Sequence, residues 1–146
     1  MSSKNYLQQI GKYETLLRNK QNEVCQYEAL ATNAHASLEE RVQTSSDGDR
    51  LSLLVSAAVD AQEELKDLLE AYIELKQRIT KQIEGMVIRD EDGIPIDTSE
   101  YEVLHLRYID RLLFEDVADK MCLSTRHMYT IHERALERFE EKYLSK

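Results

Sequence analysis

Along the first half of the chain the apolar residues return in alternating steps of four and three. Tyr6, Ile10, Tyr13 and Leu17 begin the series, and Val24, Tyr27, Ala31, Ala34 and Leu38 continue it, with Lys20 at the one missing place. This is a heptad pattern, and it predicts one helix from about Ser3 to about Val42. Leu7, Leu16 and Leu30 widen the stripe beyond what one neighbouring helix can cover. Gln43-Thr44-Ser45-Ser46-Asp47-Gly48-Asp49 is polar and rich in turn formers, so it reads as a loop. A second seam follows: Leu51, Leu54, Ala58, Ala61, Leu65, Leu68, Tyr72, Leu75 and Ile79, with Ile83 one step off register. It predicts a helix from near Asp49 or Arg50 to near Gly85, a glycine suited to a left-handed cap. Leu53, Val55, Val59, Leu69 and Ile73 again broaden the apolar face.

Two long helices with matching seams and a short connection are expected to fold back as an antiparallel hairpin, each arm roughly 50 Å long. Ala31, Ala34, Ala58 and Ala61 would allow close approach near its turn. Two helices cannot hide two broad apolar faces between themselves, so the excess is expected to lie against the C-terminal part, a second subunit, or both.

Arg89-Asp90-Glu91-Asp92-Gly93-Ile94-Pro95-Ile96 breaks the helical pattern. The chain's one proline pushes Ile94 towards an extended conformation. Asp97-Thr98-Ser99-Glu100 has the form of a capping box, and it opens a helix through Tyr101, Leu104, His105 and Tyr108 to about Asp110. The fold class expected is all-α. Residues 1–86 form the hairpin, 87–97 a linker, and 98–146 a small helical domain.

Within that domain Phe114–Leu136 reads as a short helix, a tight turn and a longer helix. Val117, Ala118, Met121, Leu123, Met128 and Ile131 have the spacing that two steeply crossing helices need. Ala118 belongs at the closest approach and Ser124 at the N-cap of the second helix. Such a helix-turn-helix presents the start of its second helix to the DNA major groove. Ser124, Thr125, Arg126, Tyr129 and Thr130 are then the candidates for base edges, and Arg126 suits a bidentate contact with guanine. His127, Arg134 and Arg138 suit phosphates. His132 has two readings, a phosphate contact or a packing residue held against Tyr108. His105 reads as a core-edge residue.

Charge cuts against this expectation. The chain carries 19 Lys and Arg against 28 Asp and Glu, a net charge of −9. From Asp97 onward the balance is 8 against 11, but between Leu123 and Arg134 the two arginines outnumber the one acid. A single copy is therefore expected to bind DNA weakly and with strong salt dependence. Pairing through the hairpin would present two half-sites and raise the affinity.

The residues around the motif also carry a resemblance. Leu106-Arg107-Tyr108-Ile109, Glu115-Asp116-Val117-Ala118, Leu123-Ser124-Thr125 and Glu133-Arg134-Ala135-Leu136 resemble the fourth region of bacterial sigma factors, which reads the −35 promoter element. The whole chain resembles small phage and prophage proteins related to the ArpU-type late transcription regulators. It shares with them Tyr6-Leu7 and Ile10, then Ala29-Leu30-Ala31-Thr32. It also shares a closing series of Arg107-Tyr108-Ile109, Ala118, Ser124, Arg126, Tyr129, His132 and Ala135-Leu136. The resemblance implies a sequence-specific, DNA-binding transcriptional regulator, and it offers RNA polymerase as a partner that would carry the domain to DNA, an alternative to the homodimer expected from the hairpin. Two positions depart from the pattern. Leu113 stands where Ser or Thr usually caps the first helix, and the acids Glu115 and Asp116 favour that helix's dipole instead. Cys122 stands where glycine is common, a strained choice if its φ is positive.

Two other functions fit parts of the pattern. A small terminase-like packaging subunit also joins a helix-turn-helix to coiled helices, in large rings. A sigma-like adaptor would bind polymerase without reading DNA. No nucleophile-and-base pair, phosphate loop or metal-spaced set appears, so neither an enzyme nor a metal or other cofactor is expected. Cys25 and Cys122 read as two ordinary thiols. With no leader and no apolar run long enough for a membrane span, a soluble cytoplasmic protein is expected.

Overall fold

The computed structural model of the protein describes residues 1–40 and 45–145, and the side chains of residues 1–33 and 48–145. It is mostly helical: α1 (Ser3–Leu7), α2 (Gln9–Glu40), α3 (Ser45–Glu84), α4 (Ser99–Leu104), α5 (Phe114–Lys120) and α6 (Thr125–Phe139). Single π-type turns extend α4 through His105–Ile109 and α6 through Glu140–Leu144. Among the described residues no helix is long and apolar enough to cross a membrane.

The first helix is not continuous from Ser3. Ser2 caps α1 by accepting from the Asn5 N–H, and at Gln8 ψ flattens to −12°. The ladder still steps across the break, Gln8 N–H to Lys4 carbonyl and Lys12 N–H to Gln8 carbonyl, so it is a local slackening between the buried Leu7 and Ile10. The predicted loop 43–49 shrinks from its far end. Residues 43 and 44 lie outside the described residues, while Ser45–Asp49 are helical, because polar residues do not forbid a helix that a long following segment propagates.

The chain divides into two compact units, Met1–Lys12 with Ile73–Lys146, and Tyr13–Tyr72. These units cut the chain at other places than the expected division into 1–86, 87–97 and 98–146. In the Tyr13–Tyr72 unit the two helical segments run in opposite directions. The Tyr72 hydroxyl donates to Glu14 at 2.8 Å, Lys20 Nζ pairs with Glu64 at 2.7 Å, and the Gln62 amide donates to Glu28. Lys20, the interruption in the heptad, thus spans the two segments; hydrogen bonds to Glu23 and Glu64 push its pKa up. Val24, Ala58 and Ala61 are buried there, whereas Leu16, Leu30, Leu53, Val55, Val59 and Leu69 are exposed. The side chains of Ala34 and Leu38 lie outside the described residues.

The other unit is closed more completely. Leu7, Ile10, Ile79, Ile83, Leu104, Ala135 and Phe139 are each 0% exposed. The Tyr6 ring lies 6.0 Å from that of Phe139, its hydroxyl donates to Gln82 at 2.8 Å, and the Ser3 N–H donates to Glu140 at 3.2 Å. Gly85 is not a left-handed cap: among the described glycines only Gly93 has positive φ. Gly85 serves close approach instead, because a Cβ there would collide with the Tyr143 hydroxyl.

The chain is mostly helical, as the all-α class expects, and the 87–97 segment adds one short strand pair. Ile88–Arg89 pairs antiparallel with Pro95–Asp97, with a bulge between the Ile88–Asp97 and Arg89–Pro95 partners. Gly93, at φ 82°, lets the turn close, and the Asp90 carboxylate accepts from the Asp92 and Ile94 N–H groups at 3.0 and 2.8 Å. The capping box does not form. Asp97 accepts from the Ser99 N–H and hydroxyl, which with Arg134 and Arg138 nearby holds its carboxyl below the usual range, and Glu100 turns elsewhere.

Candidate nucleic-acid interface

The connection from α5 to α6 starts from small and apolar residues. Val103, Leu106, Val117, Ala118, Met128 and Ile131 form a buried cluster, with Leu112, Phe114, Met121 and Leu123 packed around it. Ala118, the smallest side chain of the set, is 2% exposed. The chain leaves α5 through a Schellman turn: the Leu123 N–H donates to the Ala118 carbonyl and the Cys122 N–H to that of Asp119. That turn needs a left-handed residue, and Cys122 supplies it at φ 56°. The strain expected of a cysteine here is present. Leu113 gives α5 no side-chain cap, again as its chemistry requires.

Ser124 is the N-cap of α6 and accepts from the His127 N–H at 3.2 Å, so its hydroxyl fixes the helix start before it meets anything else. Thr125, Arg126, His127, Tyr129 and Thr130 are all exposed on the first two turns. Thr130 donates back to the Arg126 carbonyl. Tyr129 is half covered: its ring lies 5.0 Å from that of Phe114, and the Arg107 guanidinium lies 3.9 Å over the other ring's centre. This Arg107–Phe114–Tyr129 stack links the start of α5 to the exposed face of α6.

The remaining two candidates are placed differently. Arg134 donates to Glu100 at 2.8 Å and Arg138 pairs with the same carboxylate, which is only 3% exposed. One buried acid thus holds two guanidinium groups against α4, and they are committed before any phosphate arrives. Glu100 escaped notice because its spacing after Asp97 matched a capping box. The signal that could have found it is Arg134 and Arg138 at i, i+4, one face of α6 offering two arginines to a single carboxylate.

His132 belongs to the core. It is buried, its Nε2 is 2.9 Å from the Tyr108 hydroxyl, and the Phe114 ring meets it edge-on at 5.0 Å. Burial, then Arg107 and Lys4, lower its pKa to about 4, while burial raises that of Tyr108 to about 12. Both are neutral at pH 7, and the packing reading of His132 stands. His105 faces Asp110 at 3.4 Å and lies beside Tyr101. Among the described residues no three His, Cys, Asp or Glu side chains come together as a metal site. No family model, curated protein or solved structure matches the chain.

Proposed function

We propose that the protein is a sequence-specific DNA-binding regulator whose α5–α6 pair is a helix-turn-helix, with α6 lying in the major groove. The observation that carries this reading is the exposed Thr125–Thr130 face: polar side chains, with Arg126 among them, on the first turns of a capped helix seated on a buried core. Arg126 is the group for a guanine edge, Thr125, Tyr129 and Thr130 are its neighbours in the groove, and His127 flanks them towards a phosphate. Arg134 and Arg138 act as positioning residues through Glu100. The Tyr13–Tyr72 segments form a coiled hairpin whose exposed leucines and valines meet a second copy, giving two half-sites. The resemblance to sigma region four and to ArpU-type phage regulators points the same way. The role is binding rather than catalysis, in the cytoplasm of a bacterial host.

One observation favours a second reading. The Glu100 pairings occupy two of the three arginines of α6 in a chain of net charge −9, which suits an adaptor that uses the same fold to meet RNA polymerase. Replacing Arg126 decides between the two. Arg126→Ala is expected to weaken binding to the best duplex selected from a random pool by about tenfold or more, with relaxed preference at one base pair. Unchanged binding and unchanged preference would remove the DNA-reading proposal and favour the adaptor.

A further inference from the structure

The face of α6 that carries Arg126 holds one large apolar side chain. Met128, Ile131 and Phe139 are buried and Leu136 is partly buried, whereas Tyr129 is 42% exposed. The small hydroxyls beside it are already engaged: Ser124 accepts from the His127 N–H, and Thr130 donates back to the Arg126 carbonyl at 3.1 Å. Tyr129 is also the exposed end of a line of rings that begins in the core. The Tyr108 ring stacks on His132 at 5.8 Å, Phe114 meets His132 edge-on at 5.0 Å, and Tyr129 leans on Phe114 at 5.0 Å. Resting on the reading of α6 as the groove helix, we propose that Tyr129 selects a thymine beside the guanine that Arg126 reads, by setting its ring against the 5-methyl group, and that Phe114 is its positioning residue.

Arg126 and Tyr129 stand at i and i+3, neighbours on one helix face. Three residues advance an α-helix by about 4.5 Å, and one base step advances a strand by about 3.4 Å. With α6 along the groove, the two side chains face adjacent base pairs. Thymine is the base that offers an apolar group, its 5-methyl, to the major groove. An aromatic ring suits that contact, because it brings a large apolar area with only two side-chain torsions to fix. Here the ring is packed on Phe114 before any DNA arrives, so less freedom is lost on binding. Phe114 is itself held on several sides. The Arg107 guanidinium lies 3.9 Å over its ring centre and donates to the Leu112 carbonyl at 2.8 Å. The His132 ring that Phe114 meets is buried, with Nε2 2.9 Å from the Tyr108 hydroxyl. The contacts thus run from the π-type turn after α4, through the first residue of α5, to the exposed face of α6.

The test starts from duplexes that the full chain selects from a random pool at moderate salt. A thymine adjacent to the Arg126-dependent guanine is expected. Deoxyuridine in place of that thymine removes the methyl group alone and should weaken binding about fourfold, the worth of one buried methyl. The uracil penalty should persist in Tyr129→Phe, which keeps the ring, and vanish in Tyr129→Ser, which removes it. Phe114→Leu keeps an apolar side chain of tolerated volume. It should bring the thymine-to-uracil affinity ratio close to one while the guanine preference stays. A general structural defect would instead weaken both duplexes equally and leave that ratio unchanged. A full uracil penalty in Tyr129→Ser, or a guanine with no adjacent thymine, overturns the thymine contact while the reading of α6 stands. A full penalty in Phe114→Leu overturns the positioning role. A pool with no guanine preference that depends on Arg126 overturns the reading of α6, and the thymine contact falls with it.

Discussion

The two compact units treat their apolar residues in opposite ways. In the unit that contains α4, α5 and α6, the apolar spacing is irregular, yet Leu7, Ile10, Ile79, Ile83, Val103, Leu104, Val117, Met128 and Phe139 are each 0% exposed. In the Tyr13–Tyr72 unit the heptad spacing is regular, yet Leu53 is 72% exposed and Leu16 and Leu30 about half exposed. Regular periodicity therefore announces helices but not how completely they are covered; two helices have too little mutual surface to hide stripes wider than a single seam. The irregular unit closes because several short elements meet from different directions, each burying one or two residues completely. Function is expected to divide on the same line, with a rigid platform on one side and an uncovered assembly surface on the other.

The contrast can be broken most severely at Phe139, which is 0% exposed and packed between Tyr6 and Tyr143. Phe139→Ala should cost about 3–5 kcal/mol in chemical denaturation; a cost below about 1 kcal/mol would show that this unit is as loosely covered as the other. Next in size is an acid dependence. The His132 imidazole titrates near 6.5 when unfolded and near 4 in the fold. Between those values the unfolded chain takes up a proton that the folded chain refuses. Stability present at neutral pH is therefore lost as pH falls from about 6.5 to about 4 and is not lost further below that. The loss from this group is of order 3 kcal/mol, and comparing His132→Gln with the parent across that range isolates it. Cys122→Gly should raise stability by up to about 1 kcal/mol, because glycine takes φ 56° without strain, with DNA binding unchanged. Smallest is Leu53→Ser, expected to change unfolding free energy by less than about 0.5 kcal/mol at a concentration where the chain is a single copy. Sedimentation should nevertheless show weakened self-association.

Much of the α5–α6 arrangement was legible because it depends on near neighbours in sequence. Val117, Ala118, Met128 and Ile131 lie within fifteen residues, Ser124 is a cap by its position, and the strain at Cys122 follows from one turn. What escaped depends on distant residues or very short elements. The heptad runs without a break from Tyr6 through Leu17, so nothing in it marks Lys12 as the place where one compact unit ends. Strands of two and three residues are too short to show a period, and only Asp90 and Gly93 hinted at the β-turn. Glu100 was visible but had a local explanation, and its actual partners lie more than thirty residues away on α6.

A DNA-reading role turns most directly on whether the exposed start of α6 distinguishes DNA sequences. Selection of bound duplexes from a random pool at moderate salt measures this. The expected result is enrichment of a consensus with two spaced half-sites, each containing a guanine whose preference disappears in Arg126→Ala. A pool that emerges unenriched, or enriched equally by the Arg126→Ala chain, would contradict it.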